Sequence, residues 1–167
     1  MTLRSVLVAI ALSPLPLAGC DAPPEAAPDP IQSTPAGSKA VAKPELVKVA
    51  DGTTDGPAFI KAELERADRD GAKVVIYIGA EWCEPCQRFH QALKRGELDK
   101  DLPNVRFLDF DFDKHGTLLD QAGCVSKLIP LFARPTPDGK CGDQRTEGGI
   151  KGDGAVGHLV PRLRRIL

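Results

Sequence analysis

Two cysteines, Cys83 and Cys86, stand three residues apart directly after an apolar run. If a helix begins at Cys83, its unpaired N–H groups and partial positive charge stabilise a thiolate there and lower the pKa of that thiol. Cys86 then lies one helical turn away, close enough to attack a mixed disulfide on Cys83. The spacing predicts thiol–disulfide exchange, with Cys83 as nucleophile, Cys86 as resolving thiol and no cofactor beyond their own disulfide.

The residues on either side of this pair predict alternating strands and helices in an α/β domain. The predicted strands are Glu45–Ala50, Lys73–Gly79, Val105–Phe112, Leu131–Ala133 and about Gln144–Ile150. The predicted helices run from a cap at Thr54 or Asp55 to Gly71, from the cysteine pair to about Leu98, over Thr117–Ala122 and over Ala155–Leu167. The order βαβαβαββα places the cysteine pair where the second strand meets the second helix.

The segment Ala80–Cys86 (AEWCEPC) resembles the active site of thioredoxin, and Ile129-Pro130 resembles its cis-proline loop. The resemblance runs from Gly56 to the C-terminus and implies a thioredoxin-like fold, with a central mixed β-sheet flanked by helices. Pro130 would then be cis, lie against the sulfurs and let Ile129 present its backbone to an extended substrate. Without the resemblance, Pro130 is an ordinary trans proline at a strand start. The residues expected around the site are Trp82, Glu84, Pro85 and Ile129.

Two positions depart from the thioredoxin pattern. Tyr77 stands where thioredoxin has a buried Asp, so the usual proton acceptor for Cys86 is missing, and Glu84 or water would have to serve. Gln91 stands where the thioredoxin helix has a proline, which predicts a straighter helix here.

The dipeptide between the cysteines bears on the direction of electron flow. Glu84 places a negative charge beside Cys83, which disfavours the thiolate and so stabilises the disulfide, favouring a reductase. The Cys-Glu-Pro-Cys motif also resembles the membrane-anchored thiol reductases of cytochrome c maturation. That resemblance implies disulfide-containing exported proteins as substrates and a membrane-embedded electron donor. The alternatives are a thiol oxidase or isomerase, and a non-enzymatic metal- or protein-binding module on the same fold.

The first twenty residues resemble the signal of a bacterial lipoprotein. After Arg4 comes an uncharged run of about 14 residues, shorter than the roughly 20 that span a bilayer. It ends in Leu17-Ala18-Gly19-Cys20, which resembles a lipobox: the chain is cut before Cys20, and that thiol carries the lipid. The alternatives are a plain secretory signal and a small hydrophobic N-terminus.

This interpretation divides the chain into a signal peptide (1–19), a lipidated Cys20 with a disordered Pro/Ala-rich tether (20–45) and a thioredoxin-like domain (46–167). Asp21 resembles the signal that retains lipoproteins in the inner membrane of some Gram-negative bacteria. We therefore expect an extracytoplasmic protein anchored through Cys20 on the periplasmic side of the inner membrane.

If Cys83 and Cys86 pair, Cys124 and Cys141 remain, and an oxidising compartment favours a second disulfide over two free thiols. A zinc site would need a second pair at short spacing, so no metal site is predicted. His90 follows Cys86 by four residues, on the same helical face. It could help bind a soft metal, but a solvated helix residue is the simpler interpretation.

The charge balance gives no field that would attract nucleic acid, because 22 Lys and Arg stand against 23 Asp and Glu. Gly152–Gly157 matches a dinucleotide-binding glycine pattern, but the chain ends without the second strand and acidic residue that such a site needs. We expect it to form the loop into the last helix. Three arginines near the C-terminus are expected on that helix's solvated face: Arg162, Arg164 and Arg165.

Overall fold

The computed structural model describes residues 42–167, so Cys20, the predicted signal peptide and most of the predicted tether lie outside the described residues. The strands are β1 (Glu45–Lys48), β2 (Lys73–Gly79), β3 (Val105–Asp111), β4 (Leu131–Pro135) and β5 (Cys141–Glu147). The helices are α1 (Gly56–Asp70), α2 (Glu84–Lys94), α3 (Gly116–Gln121) and α4 (Ala155–Ile166). None of these helices is long and apolar enough to cross a bilayer.

The strands form one mixed sheet in the order β1-β3-β2-β4-β5. The first three positions are parallel, while β4 is antiparallel to both β2 and β5. The central β2 is buried along almost its whole length, as its β-branched and aromatic run predicts. The element order and the helix-flanked mixed sheet confirm the predicted fold class.

Successive residues of β2 face opposite sides of the sheet and build two separate cores. Val75 and Tyr77 join the core beneath α2 and α4, whereas Ile76 and Ile78 join the core beneath α1 and α3. In the first core, the ring of Phe89 on α2 meets the rings of two sheet residues edge to face, at centroid distances of 5.0 Å to Phe132 and 5.2 Å to Phe107. These rings hold the helix that follows the cysteines against the sheet.

The ends of α1 follow the predicted signals. The Asp55 carboxylate accepts a hydrogen bond of 2.9 Å from the Ala58 N–H, which caps the first turn. Gly71 ends the helix in the left-handed conformation, at a φ of 70°, which suits a residue without a Cβ.

α2 and β5 differ from the prediction by three residues or more, for local reasons. α2 ends at Lys94 rather than near Leu98, because Gly96 turns the chain at a φ of +72°. β5 runs over Cys141–Glu147 rather than Gln144–Ile150. A tight turn allows this earlier start, since the N–H of Thr136 donates to the Lys140 carbonyl at 2.8 Å.

Candidate active site

The cysteine pair lies where β2 passes into α2. Cys83 is the N-cap of α2, and a disulfide joins it to Cys86 with the two Cα atoms 5.2 Å apart. Both cysteines are buried. Pro85 lies in the first helical turn, where a residue without an N–H costs no helical hydrogen bond.

The start of α2 creates an electropositive environment for the Cys83 sulfur. The Cys86 N–H points to Cys83 Sγ at 3.3 Å, and the helix dipole has its positive end here. After reduction, the same donor and dipole would stabilise a thiolate on Cys83. The arrangement is therefore suited to nucleophilic attack by Cys83 and resolution by Cys86.

Pro130 lies beside the start of α2, and the Ile129–Pro130 peptide bond is cis. Gly149 packs between the two prolines: a Cβ added to it would stand 2.9 Å from Cβ of Pro85 and 3.5 Å from Cδ of Pro130. The Pro130 carbonyl accepts a 2.9 Å hydrogen bond from the Gly148 N–H. Sequence reasoning missed this role of Gly149, for which the Gly148-Gly149 pair was the available signal.

Exposed apolar side chains lie next to Cys83 and next to the cis-proline bond. Trp82 is 65% exposed, and its indole N–H donates to the Asp113 carboxylate at 2.8 Å. Phe112 packs edge to face on the Trp82 ring. Leu128, just before the cis-proline bond, is also exposed. Trp82 and Phe112 together form an exposed apolar surface next to Cys83.

Glu84 is engaged with neighbouring groups. Its carboxylate accepts hydrogen bonds from the Gly152 N–H at 3.0 Å and from Arg88 at 3.4 Å, and Arg88 also bonds Asp153 at 2.8 Å. These contacts tie the start of α2 to the loop before α4. The negative charge of Glu84 is thus shared with a cation, and its effect on Cys83 is weaker than the sequence alone suggests.

One of the three C-terminal arginines differs from the prediction. Arg162 turns inward and donates to the carbonyls of Glu147 at 2.7 Å and Gly148 at 2.8 Å. It therefore fastens α4 to the end of β5, close to the Gly149 contact with Pro130. Gly152–Gly157 forms the loop and first residues of α4, as expected.

A cleft of about 760 Å³ opens beside Cys86 and holds a polar cluster formed by Tyr77, His90 and Asp109. The Tyr77 hydroxyl and His90 Nε2 are both shielded from solvent and have no hydrogen-bond partner within residues 42–167. Burial raises the pKa of Tyr77, and nearby Asp109 raises it further. His90 is only partly solvated: its side chain is 37% exposed, and its ring lies against Tyr77, with the centroids 5.2 Å apart.

Burial opposes the charged forms of both His90 and Asp109 in this cleft. His90 Nε2 lies 3.8 Å from an Asp109 carboxylate oxygen, too far for a hydrogen bond. Burial lowers the pKa of His90, although Asp109 opposes that shift. Burial likewise raises the pKa of Asp109, against the attraction of His90. Within residues 42–167, no three His, Cys, Asp or Glu side chains are grouped to hold a metal ion.

The second disulfide joins Cys124 to Cys141 and lies away from this site. Cys141 pairs with Pro135 at the end of the β4–β5 hairpin opposite Pro130, and its N–H donates to the Ala122 carbonyl at 2.9 Å. The bridge therefore fastens the end of α3 to the start of β5. Closing a loop of 17 residues stabilises a fold by about 3 kcal/mol in the chain-entropy account.

No protein-family profile and no curated protein matches the chain. Among solved structures, it is similar to a thioredoxin from Trichomonas vaginalis, with 28% identity, a TM-score of 0.41 and coverage of 62% of this chain and 85% of that one. It is also similar to oxidized thioredoxin O1 from Arabidopsis thaliana, with 22% identity, a TM-score of 0.45 and coverage of 72% and 93%. A third similar structure is Trxlp from Edwardsiella tarda EIB202, with 20% identity, a TM-score of 0.43 and coverage of 70% and 98%.

The fold itself follows from the chain's own geometry. The element order βαβαβαββα, the mixed five-stranded sheet and the disulfide at the start of α2 occur together, with cis-Pro130 beside them. This chain has a thioredoxin-like fold.

Proposed function

We propose that the protein is a thiol–disulfide oxidoreductase that reduces disulfides in other proteins. The observation that carries the proposal is the Cys83–Cys86 disulfide at the N-terminus of α2, with the Cys86 N–H directed at Cys83 Sγ. In the reduced form, Cys83 attacks a substrate disulfide and releases one substrate thiolate. Cys86 then attacks the Cys83 sulfur, which releases the second thiolate and re-forms the Cys83–Cys86 bond. The two electrons of the dithiol thus pass to the substrate.

Three features support the reductive direction. No cation stands between the cysteines, Glu84 contributes a negative charge there, and Ile129 brings no hydroxyl to bond a thiolate. We expect the Cys83–Cys86 couple to equilibrate with glutathione nearer the roughly −270 mV of thioredoxin than the roughly −120 mV of a dedicated oxidant.

Two variants of Glu84 test how its charge affects the reduction potential. Glu84→His should raise the potential, because a cation at this position stabilises the thiolate form. Glu84→Gln keeps an acceptor for the Gly152 N–H and removes only the charge, so it should raise the potential less. A wild-type potential above about −180 mV, the region of disulfide isomerases, would contradict the reductase proposal and favour an oxidase or isomerase.

We propose further that Cys20 anchors the domain to the outer face of a bacterial inner membrane, where exported proteins would be its substrates and a membrane-embedded protein its electron donor. The proposal is supported by the Leu17–Cys20 box behind an apolar run. Mass spectrometry of membrane-extracted protein should find a chain that begins at acylated Cys20, and Cys20→Ser should leave an unlipidated precursor. A soluble mature protein that begins elsewhere would argue against anchoring.

A further inference from the structure

The resolving step requires a group that takes the proton of the Cys86 thiol, since the thiolate is the attacking form. Tyr77 is unsuited to this, because a phenol whose pKa is raised by burial stays protonated and cannot act as an anionic base. Glu84 is held by Gly152 and Arg88. Tyr77 therefore does not take the proton, and the Glu84 carboxylate already accepts hydrogen bonds from two other groups.

The cleft beside Cys86 contains a better acceptor. His90 follows Cys86 by one turn of α2, and both residues line the cleft. The Tyr77 hydroxyl and Cβ of Cys86 both lie within 3.3 Å of the point where a Cβ on Gly79 would stand, so the phenol reaches beneath Cys86. Because the Tyr77 ring also packs on His90, one compact cluster extends from the thiol to the imidazole.

We propose that His90 is the base that accepts the Cys86 proton when Cys86 resolves the mixed disulfide, with Asp109 as a positioning residue that stabilises the imidazolium. The inference rests on the proposed oxidoreductase function. The thiol proton moves to Nε2 of His90, directly or through one water. The Cys86 thiolate forms a bond to Cys83 Sγ while the bond from Cys83 to the substrate sulfur breaks, and the departing thiolate takes a proton from solvent.

The groups around His90 favour proton acceptance by its imidazole. Its Nε2 has no hydrogen-bond partner among the described residues, and burial lowers the pKa of His90, which favours a neutral ring that can accept a proton. The Asp109 carboxylate, 3.8 Å away, favours the cation once the proton arrives. The other charged or titratable groups around His90 are Lys48 of β1, Lys94 of α2 and Tyr77 of β2, with Asp111, Lys114 and His115 lining the same cleft.

The test separates the two chemical steps by rapid mixing of the reduced protein with 4,4′-dithiodipyridine. The full chain carries Cys20→Ser in every sample, and intact mass verifies that the Cys124–Cys141 bridge stays oxidised. Attack by Cys83 releases the first thiopyridone at a rate that depends on reagent concentration. Resolution by Cys86 releases the second at a rate that does not.

In the parent protein, the second-phase rate should fall as the pH drops through the His90 pKa, which lies below its usual 6.5, because the imidazolium cannot accept a proton. We call this fall in rate the low-pH limb. His90→Gln should abolish it and should slow the second phase by about 100-fold at neutral pH, the lower end of what a general base contributes. The first phase should be unchanged. The matched control is His158→Gln, which alters an exposed histidine on α4 and should retain both phases and the limb.

Asp109→Asn provides a second variant that keeps the imidazole. It should move the low-pH limb to lower pH, since Asp109 raises the His90 pKa, and it should slow the second phase. A low-pH limb that persists in folded His90→Gln, or one that does not move in Asp109→Asn, would overturn the assignment. Insulin reduction tests the proposed function separately. If the protein does not reduce insulin but the low-pH limb is present, the reductase proposal is contradicted and the assignment of His90 as the base is retained.

Discussion

Cys83→Ser should reduce insulin disulfides no faster than the chemical reductant alone. The variant loses the sulfur at the N-cap of α2. In the reduced protein, the Cys86 N–H and the helix dipole stabilise a thiolate at this position. Cys86→Ser should instead retain the first attack and accumulate a mixed disulfide on Cys83, because nothing resolves it. Turbidity of reduced insulin measures the first effect, and intact mass under non-reducing conditions measures the second.

The second disulfide offers the control for this pair of variants. The double variant Cys124→Ser with Cys141→Ser also removes a disulfide, but at the end of the hairpin opposite Pro130. Assayed below its melting temperature, the double variant should reduce insulin disulfides at the rate of the parent protein. Activity that survives in Cys83→Ser, or disappears in the control while the protein is folded, would contradict the assignment of the active disulfide.

Phe89→Ala should cost about 3–5 kcal/mol of the free energy of unfolding, the range measured for deletion of a buried aromatic ring. Phe89 is fully buried on α2 and packs against the rings of Phe107, Phe132 and Tyr77. Its loss would leave a cavity between the sheet and the helix that carries the cysteines. Urea denaturation followed by circular dichroism measures the change.

The control for Phe89→Ala is a truncation at an exposed apolar position. Val125 is 68% exposed, and Val125→Ala should change the free energy of unfolding by no more than about 0.5 kcal/mol. A cost below about 1 kcal/mol for Phe89→Ala would show that the surrounding side chains collapse into the cavity, which would contradict the close packing of this core.

Much of the fold was predictable because its signals are local. The run Lys73–Gly79 predicts β2 with the observed bounds, since β-branched and aromatic side chains favour a strand buried on both faces. Asp55 and Gly71 predict the ends of α1 through capping interactions within a few residues. The predicted bounds of β5 were less accurate. The register of this strand depends on a turn, and the residue pattern does not specify the hydrogen bonds of that turn.

The candidate site was predictable in part for the same reason. Cys83 and Cys86 meet within one helical turn, so their spacing is enough to bring the sulfurs together. His90 shares that helical face, but the sequence did not predict its contact with the sheet. Whether a helix face meets solvent or the sheet depends on the partner that packs against it, and here that partner includes Tyr77.

By itself the sequence determined the element order, the disulfide chemistry of Cys83 and Cys86 and the position of that pair at the start of α2, because each depends on residues close together in the chain. Only the tertiary structure decided which distant groups surround the sulfurs. The parallel register opposes Tyr77 to Asp109, the packing of α2 brings His90 over both, and the loop before α4 supplies the Gly152 N–H to Glu84. These contacts join strands and helices far apart in sequence, and they form only when both cores close on the sheet.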